Sequence, residues 1–288
     1  GGGGRVSVNV TLTGSACSLT YDVAGGTGSA ASGAAGTVSS TETLSAPAGF
    51  FAASPGTGTV FWGWGLVQGA DSYQLYSSTG GLGQSGLLSA QTSAFITPDL
   101  LANTTHQFLV RARNCGAFAD SSAFELATLA QAPAVLATSF LDVGPSSITA
   151  RWAARPQNPQ EASAQGYALE ASTAADFTGT LLSSSTPNVF LSTLTVLALA
   201  PNTTYHWRAA SLNWASSTGP FTSLGSTSTL TDPVAGAQFA GVFGTSLTVN
   251  WAALPLAPST RTPPGYPLER YPDAGFTGTL FSSRTPNV

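Results

Sequence analysis

The chain has no lysine and no methionine, and charge of either sign is scarce. Charged residues fill 8% of its 288 positions, against roughly 25% in an average soluble domain. The nine basic residues are all arginine, and with 13 carboxylates the formal charge is −4, spread without acidic or basic runs. Nucleic acid and anionic membranes are therefore excluded as partners expected from charge. Without lysine there can be no internal Lys–Asn isopeptide cross-link. Without an initiator methionine the sequence reads as a processed chain or a fragment. Long apolar runs are missing too: the longest, Phe190–Ala200, is short and interrupted by Ser and Thr, so it cannot span a bilayer as a helix. Four glycines stand at the N-terminus in place of a charged-then-apolar signal segment. A surface this poor in charge suits a protein that is secreted and packed against copies of itself or a cell wall.

Cysteine is nearly absent. Cys17 and Cys115 lie 98 residues apart, without metal-type spacing. In a secreted protein they are either two buried thiols or one disulfide.

Chemical motifs are lacking as well. No G-x-S-x-G, HExxH or P-loop occurs. The carboxylates form no pair for glycoside chemistry and no Asp-x-Asp calcium loop. The Gly-rich stretch 25–36 has no lysine to cradle a phosphate, and there is no Arg-Gly-Asp. His106 and His206 have no nucleophile in a recognisable motif nearby. No catalytic residue, cofactor or metal is expected, and the chain does not read as an enzyme. Exposed aromatics, with Trp214 and Tyr271 the loosest candidates, are the only hint of a carbohydrate or cell-surface ligand. Asn9, Asn103 and Asn202 stand in Asn-x-Thr, and a structural role is expected for the latter two rather than glycosylation.

What is present is alternation. GTVFWGWGL (58–66), SSITARWAA (146–154) and TSLTVNWAA (245–253) place apolar residues two and four positions before Trp64, Trp152 and Trp251. Val60 and Trp62, Ile148 and Ala150, and Leu247 and Val249 thereby share one strand face with the tryptophan. A second strand follows each time, with Tyr73 and Leu75, Tyr167 and Leu169, or Tyr266 and Leu268 on one face. Residues 100–114 and 197–213 each read as a turn and then a strand, with Phe108, Val110 and Ala112, or Trp207, Ala209 and Ser211, facing inward. Prolines 47, 133 and 233 open the modules, as suits a linker or first edge strand. Trp152–Val189 and Trp251–Val288 match at 21 of 38 positions without a gap, at an offset of 99 residues. This is an internal repeat of the kind that builds linear arrays.

A B-strand Trp, a C-strand Tyr-x-Leu, and LALAPNTTYHWRA (197–209) together resemble tandem fibronectin type III domains, and the phrasing is especially similar to such repeats in large bacterial surface proteins. The resemblance implies an all-β chain of immunoglobulin-like sandwiches, each with seven strands in two antiparallel sheets. Leu199, Pro201, Thr203 and Tyr205 match the family's tyrosine corner. The first module departs from it, with His106 at the Tyr position and Ala102 at the Pro. The resulting division is residues 47–131 and 132–231 as two such domains, 232–288 as the A-B-C-C′ half of a third, and 1–46 as strands resembling an E-F-G half. Tyr21 corresponds to Tyr205, and the segment ending at Leu44 resembles Gly225–Leu230.

From this follows an expectation about assembly. The half carrying Val249, Trp251 and Leu268 is completed by Val6, Val8, Val10, Leu12 and Tyr21 of the next copy, giving a head-to-tail surface filament. Two other extracellular readings stand beside it: an excerpt of a giant fibronectin III adhesin, and spacer modules of a secreted polysaccharide-degrading enzyme.

Overall fold

The computed structural model describes residues 44–53, 55–77, 84–114, 117–254 and 265–285. Both cysteines and the expected contacts Val6, Val8, Val10, Leu12 and Tyr21 lie outside the described residues. The regular secondary structure of the described residues is all strand apart from one 3-10 turn at Gln160–Ala162. Apolar side chains recur every second residue and Gly or Pro punctuates the runs, so strands can bury one face where a helix could not. Backbone contacts divide the described residues into two compact units, one running up to Leu100 and including Thr105–Thr128, the other made of Leu101–Thr104 and the residues from Leu129 on.

In the first unit, β1 (Phe51–Ala53), β2 (Val60–Gly63) and β5 (Ala94–Thr97) form a sheet in the order β1-β2-β5. The other sheet runs β4 (Leu88–Ser89), β3 (Ser72–Ser77), β6 (Thr105–Arg113), β7 (Phe118–Asp120), with β8 (Phe124–Ala127) also on β6. In β6 every second residue is buried, from His106 to Ala112. All pairings are antiparallel.

The second unit repeats the plan. β9 (Phe140–Val143), β10 (Ile148–Arg151) and β13 (Thr193–Val196) are ordered β13-β10-β9, and β11 (Gly166–Ser172), β12 (Leu181–Thr186), β14 (Thr204–Leu212) and β15 (Thr218–Ser228) are ordered β12-β11-β14-β15. A sheet of strands A, B and E facing one of C′, C, F and G is the arrangement that a fibronectin III sandwich requires. Four further strands follow: β16 (Ala235–Val242) pairs with β17 (Leu247–Ala252), and β18 (Tyr266–Arg270) with β19 (Phe281–Thr285). Among the described residues these are two separate two-stranded sheets.

The two sandwich cores solve one packing problem in opposite ways. In the first, Trp62 on β2 lies against Phe108 on β6, with ring centroids 4.7 Å apart. In the second, the β2 position is taken by Ala150 and the β6 position by Trp207, all four residues being fully buried. A large residue on one sheet faces a small or medium one on the other, which keeps the interior at native density.

Candidate functional site

Each core begins from the tryptophan that follows its second strand. Trp64 and Trp152 are 4% and 1% exposed. Each donates its backbone N–H across to the next sheet neighbour, Trp64 to Ser93 O and Trp152 to Ser192 O. Their rings pack on Tyr73 and Tyr167 at 5.8 and 5.2 Å. Those tyrosines are fully buried, and each hydroxyl accepts a backbone N–H, from Val67 and from Arg155, both at 2.5 Å. The third copy keeps both interactions: Trp251 packs on Tyr266 at 5.4 Å, and the Tyr266 hydroxyl accepts the Leu254 N–H at 2.7 Å. Burial pushes the Tyr167 hydroxyl above its ordinary value, while the bond from Arg155 and the Arg155 charge pull it back. The sequence signal for these bonds is a spacing: in each copy the N–H donor stands three residues after the tryptophan.

The tyrosine corner is formed by Tyr205, whose hydroxyl accepts the Ala200 N–H at 2.9 Å. Asn202 takes φ +47° there and Asn103 takes +49° in the first copy. Asn tolerates this left-handed region better than most residues, which explains Asn at that place in both turns. Asn103 is fully buried, and Leu199 is 3% exposed. His106, at the Tyr position of the first copy, is 4% exposed, and His206 is half-buried on the outer face of β14. Tyr205→Phe should strand the Ala200 N–H and cost about 1–3 kcal/mol of second-sandwich stability. Urea unfolding followed by hydrogen exchange in β14 and β15 measures it, and protection equal to wild type would dismiss the bond's role.

Arginines are ordered on the outer sheet faces. Arg111 lies over Phe118 at 4.0 Å and Tyr76 at 4.8 Å, and pairs with Asp120 at 2.6 Å. Arg208 sits between Phe177 and Phe221, at 3.9 and 4.0 Å, and pairs with Glu170 at 2.7 Å. Cation–π stacking plus a half-exposed ion pair adds about 1 kcal/mol per site, enough to hold register between neighbouring strands.

The third copy differs from the second in what covers it. At the repeat offset, Phe140 becomes Phe239 and Val143 becomes Val242. Phe140 is half-buried with its ring 5.8 Å from Trp207, whereas Phe239 and Val242 are each 73% exposed. Leu247, Val249, Trp251 and Leu268 are only half-buried, while Ile148, Ala150, Trp152 and Leu169 are sealed. Phe276, which repeats the arginine-stacked Phe177, is 70% exposed, and Glu269, which repeats Glu170, is exposed. Between the two small sheets lies an open groove of about 540 Å³, lined among others by Leu230, Pro233, Val249, Trp251, Tyr266 and Leu268.

Ladder partners are missing in the same place. In the second sandwich β10 is paired on both sides, by β9 and β13, and β11 by β12 and β14. Among the described residues, β17 has β16 alone and β18 has β19 alone. The groove therefore joins a half-buried apolar floor to two strand edges without a ladder partner among the described residues, a surface that takes up further strands.

The remaining sequence candidates lie apart from this groove's floor. Trp214 is 56% exposed at the turn after β14, and Tyr271 packs edge-on against Phe276 at 5.5 Å. Among the described residues no group of three His, Cys, Asp or Glu side chains could hold a metal, and no helix is long and apolar enough to cross a membrane.

No family model matches the chain, and no curated protein matches it. Solved structures that it resembles include a two-domain fibronectin type III segment of chicken tenascin, 19% identical over 64% of this chain and 99% of that one, with a TM-score of 0.36. The FN1-FN3 domains of chicken CNTN1 are 14% identical over 85% of this chain and 89% of theirs, with a TM-score of 0.31.

Proposed function

We propose that the chain is a non-enzymatic structural protein of the cell exterior, a subunit that polymerises head to tail by strand complementation. The observation that carries this reading is the half-covered third copy, whose residues are buried in the second copy by β13, β14 and β15. Residues 1–46 have the pattern of those three strands. Val10 and Leu12 fall where Leu194 and Val196 stand, Tyr21 where Tyr205 stands, and STETLSAP (40–47) where STSTLTDP (226–233) stands. When such a segment from another copy fills the groove, its main chain satisfies both free edges and its alternate side chains set the register. The junction regenerated between subunits, through Leu44 and Pro47, then repeats the one within the subunit, through Leu230 and Pro233. Each added copy presents a new groove, so growth is open-ended unless the rotation closes a ring.

Electron microscopy and light scattering of the purified chain test the reading. The intact chain should form filaments whose length rises with concentration, and a chain lacking residues 1–13 should stay monomeric. Monodisperse monomers from the intact chain would overturn it, whether the groove is empty or closed within one molecule.

A further inference from the structure

Resting on that reading, we infer that the groove is shaped by side-chain volume for the segment containing Val23, and excludes a strand carrying tryptophan at that place. The second copy defines the pocket. Trp207 on β14 stands opposite Ala171 on β11 in register, lies 5.8 Å from the Phe140 ring, and shares a buried cluster with Ala150, against which Leu182 also packs. At the repeat offset the third copy changes three of these four neighbours, and each change adds volume: Ala150 becomes Val249, Ala171 becomes Arg270, and Leu182 becomes Phe281, while Phe140 remains as Phe239. Arg270 and Phe281 are register partners on β18 and β19, with the guanidinium 5.4 Å from the ring, so two of the three enlarged side chains stand side by side at the place corresponding to Ala171 and Leu182.

The incoming strand must therefore bring something smaller than Trp. Counting from Tyr21 at the Tyr205 position, the residue at the Trp207 position is Val23. The exchange is the one already seen between the first two cores, where bulk is moved from one sheet to the other while the total is kept. The two neighbouring strand positions agree, with Val10 replacing Leu194 and Val38 replacing Leu224. The Arg208 position is Ala24, so Glu269 gains no ion pair from this strand, and the match lies in volume. A groove built this way accepts the N-terminal segment of another copy and rejects β14 of a neighbour, the strand that carries Trp207.

The test is a size swap in the full chain. Val23→Trp should raise the concentration needed for filament assembly about 10- to 100-fold, the usual effect of overpacking a formed core. Adding Val249→Ala and Arg270→Ala to that chain should bring assembly back towards wild type, whereas the same pair of changes on a Val23 chain should weaken it by leaving a void. Circular dichroism of each variant checks that the two sandwiches stay folded. Rescue supports the volume match. Unchanged assembly by V23W, or an impaired V23W chain that the two alanines do not rescue, overturns it while leaving polymerisation itself standing; absence of filaments from the wild type overturns both.

Discussion

Trp207→Ala should remove about 3–5 kcal/mol from the second sandwich, the range for truncating a fully buried large aromatic. Trp207 has no exposed surface, and it meets the Phe140 and Tyr205 rings at 5.8 and 6.5 Å. Ala150 and Ala171, which occupy the positions beside it, are too small to fill the space, and the Tyr205 ring is held by its bond to the Ala200 N–H. The cost therefore belongs at the upper end of the range, where a cavity persists. A domain of this size has only about 5–15 kcal/mol of net stability, so a large share disappears with one side chain. Hydrogen exchange read strand by strand should show protection lost throughout β10, β11, β13, β14 and β15, with β2, β3 and β6 unchanged. The equivalent truncation in the first sandwich, Phe108→Ala, has Trp62 at 4.7 Å to lean into the gap. A milder effect from Trp207→Ala than from Phe108→Ala would contradict the view that bulk has been traded between the sheets.

Much of this architecture is readable because a strand buried on one face writes itself as alternation. Val60, Trp62 and Trp64, and then Tyr73 and Leu75, declare two strands and their inward faces without reference to a partner. The repeat offset of 99 does more, since the second copy acts as an internal standard for the third: Phe140 against Phe239 and Leu169 against Leu268 are the same residues with and without a cover. Interactions that depend on pairing between distant strands are not written locally. Arg208 and Glu170 look like two unrelated surface residues until register places them opposite each other. The backbone N–H groups of Val67, Arg155 and Leu254 that reach the C-strand tyrosines each stand three residues after the tryptophan. The tyrosine, however, follows 6 residues later in the first copy and 12 in the other two, so the pairing shows only once the strands are folded together. Likewise, Trp62 and Trp207 occupy opposite sheets of their respective sandwiches, and neither sequence alone tells which sheet carries the bulk. The assembly face itself is legible only as a difference, in residues whose character calls for burial and whose neighbours do not supply it.

Trp251→Ala should abolish assembly at concentrations where the wild type is fully polymerised, with little effect on either complete sandwich. In the isolated chain Trp251 is half-buried, resting on Tyr266 at 5.4 Å, so its loss costs the monomer little. In a completed sandwich it would take the place of Trp152, which is 1% exposed. Its truncation then costs about 3–5 kcal/mol of the joint alone, which converts to roughly 100- to 1,000-fold or more in the assembly concentration. The asymmetry between the two states is what makes the substitution diagnostic. If Trp251 only stabilised its own half, Trp251→Ala would lower protection of β16–β19 in monomer and polymer alike and leave the assembly threshold where it was. If instead the groove receives the N-terminal segment, the threshold moves while monomer protection barely changes. The indole reports the same event from the other side: in the wild type, growth of filaments should shift tryptophan emission to the blue as Trp251 leaves water, and the shift should vanish in the Trp251→Ala chain. Filaments from that chain at the wild-type threshold would show that this face is not where the subunits meet.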